Sequence, residues 1–219
     1  ADGKEIGIYY QRANTGVGDL IYDDNGQGMV NAASRKYIGN PWPLMTLGFN
    51  ASVAYKGFDV SMVFSGAFGF DIMNLVKPYT HMFMSDNTTA AIFTTSCFGK
   101  DNAPVTDNPR VGYLNADDNV IGDGAANRNY STVSGYMVER GDYLKLKNLS
   151  VGYTLPQKYS RKAKMERLRI YFSAQNLFTI TQYSGVDPEI GGNSLMYNID
   201  HQNRYLPSRL FSFGLDISF

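Results

Sequence analysis

Along much of this chain every second residue is large and apolar. In the last nine residues Phe211, Phe213, Leu215, Ile217 and Phe219 alternate with Ser212, Gly214, Asp216 and Ser218. Side chains on a strand point alternately to opposite faces, so a period of two predicts a strand that is wet on one face and apolar on the other. The same pattern starts at Met45, where Leu47, Phe49, Ala51, Val53 and Tyr55 oppose Thr46, Gly48, Asn50, Ser52 and Ala54. Lys56-Gly57 then reads as a tight hairpin turn. On the return strand Phe58, Val60, Met62 and Phe64 oppose Asp59, Ser61 and Ser65, and only Val63 breaks the rule. Leu149, Val151 and Tyr153 alternate with Ser150, Gly152 and Thr154, while Leu144 to Lys147 are out of phase with them. A bulge near Asn148, or exit from the bilayer, accounts for the slip. After Leu155-Pro156 and a basic connector (Lys158, Arg161, Lys162, Lys164, Arg167), Leu168, Ile170, Phe172, Ala174, Phe178 and Ile180 oppose Arg169, Tyr171, Ser173 and Gln175. Five strands are expected, and Gly3 to Gln11 would add a sixth.

A chain end with a fully apolar face that includes its own terminal aromatic is unusual for a water-soluble sheet. It suits a transmembrane β-barrel, in which Phe211, Phe213, Leu215, Ile217 and Phe219 would face lipid. Connector lengths then give a direction. Lys56-Gly57 and residues 156–166 are short, as on the periplasmic side, whereas 71–141 and 181–208 are long and rich in Asn, Asp, Gly and Tyr, as outside. The C-terminus falls on the periplasmic side. The expected fold is therefore all-β, an antiparallel up-and-down transmembrane barrel segment. Five or six strands do not close a barrel, since single-chain examples begin at about eight, and an open edge in lipid strands backbone groups without partners.

Composition narrows this only a little. Lys plus Arg and Asp plus Glu number 20 each, so no net field draws nucleic acid. The single Cys97 forms no internal disulfide, no run reaches the roughly 18 apolar residues of a spanning helix, and Ala1 to Glu5 are not a signal peptide. Any crossing must use strands.

Four segments in one order then become recognisable. They are Gly18-Asp19-Leu20-Ile21-Tyr22-Asp23-Asp24-Asn25-Gly26-Gln27-Gly28 with Tyr37-Ile38-Gly39-Asn40-Pro41-Trp42-Pro43; Tyr55-Lys56-Gly57-Phe58-Asp59-Val60-Ser61 leading to Phe64 to Ile72; Tyr143 to Pro156; and Gln175-Asn176-Leu177-Phe178 with Tyr183-Ser184-Gly185-Val186-Asp187-Pro188-Glu189 running on to Phe219. Together they resemble the C-terminal part of the SusC/RagA-type TonB-dependent outer-membrane transporters of Gram-negative bacteria. The likeness covers most of the chain outside about 74–131, and 10–18 is shorter than the family's usual loop there. The resemblance implies that residues 1–219 are the last five or six strands of a barrel of roughly 22, with the plug domain and N-terminal strands absent. It further implies import of oligosaccharides or peptides energised through TonB, via the missing N-terminal part. The partners would be a SusD-like surface lipoprotein as lid and outer-membrane lipid, and a dimer of the two-component complex is compatible with this. No cofactor, nucleic acid or covalent chemistry is expected.

Candidate chemistry is sparse. Asp23, Asn25 and Gln27 with Gly28 faintly follow the spacing of a calcium loop, but Gln27 replaces the usual acidic residue and Ser34 stands where a bidentate Glu belongs, so a glycine-rich turn is the better reading. His81 and His201 have no second ligand at helical spacing, and Ser96 and Ser134 lie in no nucleophile elbow, so an enzyme is not expected. The long connectors carry Tyr79, Tyr113, Tyr130, Tyr183, Tyr197 and Tyr205 among Asn and Asp. Aromatic planes beside amides and carboxylates suit sugars or extended peptides, and girdle aromatics are the plainer reading. From these, Tyr183, Asp187, Tyr197 and Arg204 are the candidates for a substrate cavity or lid contact. Gly48, Asn50, Ser52, Ser61 and Ser173 are expected to face the lumen and leave room for a plug. A soluble β-sandwich that binds glycans is the rival, and it requires the apolar faces to meet one another across a core.

Overall fold

The computed structural model describes residues 22–23, 26, 30, 32–77, 133–192, 196–201 and 205–219. These fall into two compact units. The five-stranded sheet and the loop packed on its polar face belong to the larger, which comprises the described residues of 40–72, 139–199 and 203–219.

The long strands are β1 (Met45–Tyr55), β2 (Phe58–Phe68), β5 (Tyr143–Thr154), β6 (Arg167–Thr181) and β8 (Leu210–Ser218). They form one antiparallel sheet in the order β1-β2-β5-β6-β8, the up-and-down path expected from the alternation. Between them lie the short strands β3 (Asp71–Asn74), β4 (Val138–Arg140) and β7 (Ile199–Asp200), which make a separate sheet in the order β4-β3-β7. Sequence alternation reads those segments as loop, because two to four residues carry too few positions for a period to register. The basic connector is likewise not plain coil. It holds one helical turn, α1 (Gln157–Ser160), and a 3-10 turn at Arg161–Ala163. The sixth strand expected at Gly3 to Gln11 lies outside the described residues.

Local chemistry explains the joints. Lys56 and Gly57 turn β1 into β2 with both residues at positive φ, 46° and 89°, the pairing a two-residue hairpin needs. The anticipated bulge is present. The β2–β5 register slips between Val63 and Phe64, the β5–β6 register slips between Leu146 and Asn148, and Lys147 is left out of both ladders. On β6 the slip is absorbed near Asn176, at φ 51°, a conformation asparagine tolerates better than most residues.

Register then assembles two faces. Tyr55, Phe58, Tyr153, Ile170 and Leu215 form one row across all five strands; the next is Val53, Val60, Val151, Phe172 and Phe213, followed by Ala51, Met62, Leu149, Ala174 and Phe211. Beyond the bulge the apolar face continues through Phe49, Phe64, Leu146 and Phe178. No described residue covers most of this surface: Val53 is 64% exposed, Phe213 83% and Leu215 64%. A contiguous apolar surface of this extent is foreign to a monomer in water. It also removes the sandwich rival, which needs these faces shut against a second sheet.

The opposite face carries a row made only of serine: Ser52, Ser61, Ser150, Ser173 and Ser212, one per strand. Gly48 and Asn50, read as lumen-facing with Ser52, Ser61 and Ser173, share this face with them. Among the described residues no helix is long and apolar enough to cross a membrane, and the strands are the elements suited to it.

Candidate functional site

The polar face is built differently at its two ends. At the hairpin end the guanidinium of Arg169 donates to both carboxylate oxygens of Asp59, at 3.0 and 2.5 Å, and lies 5.0 Å above the ring of Tyr171. Two glycines make the room. A Cβ on Gly152 would sit 2.6 Å from both Asp59 and Arg169, and one on Gly214 only 2.2 Å from the Tyr171 ring.

At the other end the connector after β6 turns back over the sheet. Lys145 occupies the row Gly48, Ser65, Lys145, Thr179, on the polar face. Its side chain is 1% exposed. The ammonium donates to Asp187 Oδ1 and Oδ2 at 2.9 and 2.7 Å and to Glu189 Oε2 at 3.0 Å. Glu189 Oε1 accepts from the bulged Lys147 at 2.5 Å, and the Glu189 amide donates to Asp187 Oδ1 at 2.8 Å. Two cations thus meet two carboxylates, and the buried charge is balanced, as burial requires. Burial pushes the Glu189 carboxyl up, but hydrogen bonds from Lys147 and then Lys145 outweigh it and hold the group below its ordinary value.

Neighbouring contacts fasten the same connector. Tyr183 and Ile190 are buried in a small core with Ala67, Phe70 and Ile72, against which Tyr143 packs. The amide and hydroxyl of Ser184 both donate to Glu139, at 2.8 Å each. Thr181 Oγ1 donates to the Asp142 carbonyl at 2.8 Å and accepts from the Tyr183 amide at 3.1 Å. Asp142 itself takes the Gly69 amide at 2.6 Å and Arg140 at 2.9 Å. Burial works against its ionisation, but these donors prevail and its carboxyl lies below the usual range. Asn198 accepts from the Gly191 amide at 3.2 Å and donates to the Pro41 carbonyl at 2.6 Å.

The four candidate residues are distributed unevenly over this arrangement. Tyr183 is a core residue and Asp187 a partner of Lys145, so both shape the loop from inside. Tyr197 stacks on Trp42 with ring centroids 4.4 Å apart and planes 9° from parallel. Arg204 lies outside the described residues. Asp23 of the calcium-like segment binds Lys36, while Asn25 and Gln27 lie outside the described residues, as do His81, Ser96, Cys97, Tyr79, Tyr113 and Tyr130. Sequence reasoning missed Lys145 and Trp42. A signal for the first was available, since a lysine within a membrane-type strand demands a carboxylate, and Asp187 and Glu189 sit in the next long connector.

An unclosed antiparallel sheet with a continuous apolar face and a hydroxyl-lined reverse is a segment of a transmembrane β-barrel. Known proteins agree. No family model matches, but the chain is 33% identical over 216 residues to TonB-dependent receptor P3 of Formosa agariphila, covering 92% of this chain and 19% of that protein. It is 23% identical to TonB-dependent receptor SusC of Bacteroides thetaiotaomicron, over 96% of this chain and 18% of that one. Among solved structures it superposes on the RagAB peptide transporter with a TM-score of 0.61 at 25% identity, covering 82% of this chain and 17% of that chain. On the RagAB peptide importer in its closed-closed state the TM-score is 0.65 at 23% identity, over 97% and 21%. The chain is a SusC/RagA-type segment of a TonB-dependent outer-membrane receptor, and it spans about a fifth of the length of the curated relatives it matches. These relatives bear the names of receptors and transporters, not enzymes.

Proposed function

We propose that this chain forms the C-terminal portion of the barrel of an active importer, with plug and earlier strands supplied by the remainder of a longer polypeptide. The importer takes up oligosaccharides or peptides too large for porins, drawing energy through TonB, beneath a SusD-like surface lipoprotein. The observation that carries this reading is the two-faced sheet whose outer strands, β1 and β8, have no further neighbour among the described residues. Such a sheet is stable in hydrocarbon only when further strands close it. In this reading Phe211, Phe213, Leu215, Ile217 and Phe219 touch lipid, the serine row faces plug and water, and the C-terminus is periplasmic. Tyr197, with Trp42, offers aromatic surface to substrate or lid, and Tyr183 and Asp187 set the shape of the loop beside it; Arg204 belongs to the same group of candidates. Resemblance to the RagAB peptide importer favours peptides as the first cargo to try.

The test uses the full-length receptor in its own outer membrane. Deleting its gene is expected to abolish uptake of a labelled peptide or oligosaccharide pool, and deleting TonB to do the same, while affinity purification of the receptor brings down a surface lipoprotein. Recovery of the receptor in the soluble fraction, or uptake that survives both deletions, would defeat the proposal.

A further inference from the structure

Residues 183–190 join two strands at the long-connector end of the sheet, and a connector there is free to stand out into water. This one does the reverse. Asp187 and Glu189 come down onto Lys145 on the polar face, and Pro188 between them is fully buried. Tyr183 and Ile190 close a dry core with Ala67, and Tyr143 packs against it; Ala67 and Tyr143 pair in the row next to that of Lys145, on the same face. Ser184 is held by Glu139 on one side and Gly191 by Asn198 on the other. The tip stands clear, with Val186 76% exposed.

In a barrel the polar face is the inner one. From these contacts we infer that residues 183–190 form a fixed strap across the inside of the barrel wall, pinned by Lys145, and that this strap sets the upper size of the cargo admitted. The inference rests on the import reading above. The geometry is that of a permanent constriction and not of a gate. Three carboxylate oxygens lie within 3.0 Å of the Lys145 ammonium, the charges are balanced, and the core residues beside it are buried, so releasing the strap would strand a buried cation. Cargo of extended form, peptide or oligosaccharide, passes beside a tip that does not yield, and bulkier chains are refused on shape alone.

The experiment uses the full-length receptor with Lys145→Met, which keeps the stem and removes the charge. A second variant, Asp187→Asn with Glu189→Gln, serves if the first does not insert, and Lys145→Asp with Asp187→Lys restores the pairing reversed. Hydrogen exchange on purified receptor reads the strap. Amides of 184–191 are expected to exchange on the order of 100-fold faster in the neutralised variants, with the β1–β2 hairpin unchanged and the swapped pair largely recovered. Cells are then given a protein digest mixed with a dextrin hydrolysate, and depletion of each chain length is followed by mass spectrometry. Neutralised variants are expected to deplete longer chains than the parent. Unchanged exchange overturns the pinning. Faster exchange with an unchanged length limit overturns the size-setting role. If the parent depletes neither mixture while the exchange result holds, the import reading has failed instead, and the size limit falls with it.

Discussion

Two ion clusters sit on one face of one sheet and differ in how far water reaches them. The Lys145 side chain is 1% exposed and its partner Asp187 13%, whereas Arg169 is 19% exposed and Asp59 36%. The second pair has the better fork geometry, with two near-parallel bonds and an aromatic ring beneath. Yet the first bears on the fold more heavily, because a connector has been folded over it, and among the described residues nothing comparable covers the second. Burial, not bond geometry, decides which pair a structure cannot do without. A buried partner left alone costs about 3–5 kcal/mol, while an exposed pair is worth about 0–1 kcal/mol.

The comparison can be broken at its strong side first. Lys145→Ala is expected to lower stability by about 3–5 kcal/mol, read from denaturant unfolding of the full receptor in detergent. Next comes the core under the strap. Ile72→Ala, at a fully buried position, should cost about 2–5 kcal/mol, while Ile170→Ala on the apolar face should cost far less in the same assay. Asp59→Asn at the hairpin end is expected to change stability by about 1 kcal/mol or less. Acid sharpens the contrast most gently. The folded-state value of Glu189 is depressed, so its contribution is present above its ordinary carboxylate value and is lost as pH falls through the lowered one. Protection of the 184–191 amides, taken relative to the intrinsic exchange rate at each pH, should therefore hold from neutral pH down to the ordinary carboxylate range and fall only below it; loss of protection already above that range would contradict the assignment.

The strands, the Lys56-Gly57 turn and the slip beside Asn148 were legible because each is written in consecutive residues. Period and turn chemistry are local, and the sheet obeys both. The inward fold of the strap was not, because it depends on Lys145 meeting carboxylates 42 and 44 residues away. Tyr183 shows the cost of reading locally. Among Ser, Gly and Asp it reads as an exposed loop aromatic, and it is buried because Phe70, just after β2, and Ile72, in β3, cluster with it. Tyr197 was singled out without its neighbour, since the stacking Trp42 lies far upstream and only the fold unites them. The short strands escaped for the simpler reason of length.

The file of serines across all five strands bears on how such a wall treats whatever moves along it. Short uncharged hydroxyls about 4.8 Å apart offer a neighbour many equivalent partners, each worth about 1 kcal/mol net and each replaceable by water. No single position along the file is a deep resting place. A body leaning on it can shift by one strand, trading each bond for a like one, so the surface behaves as a low-friction bearing and not as a lock.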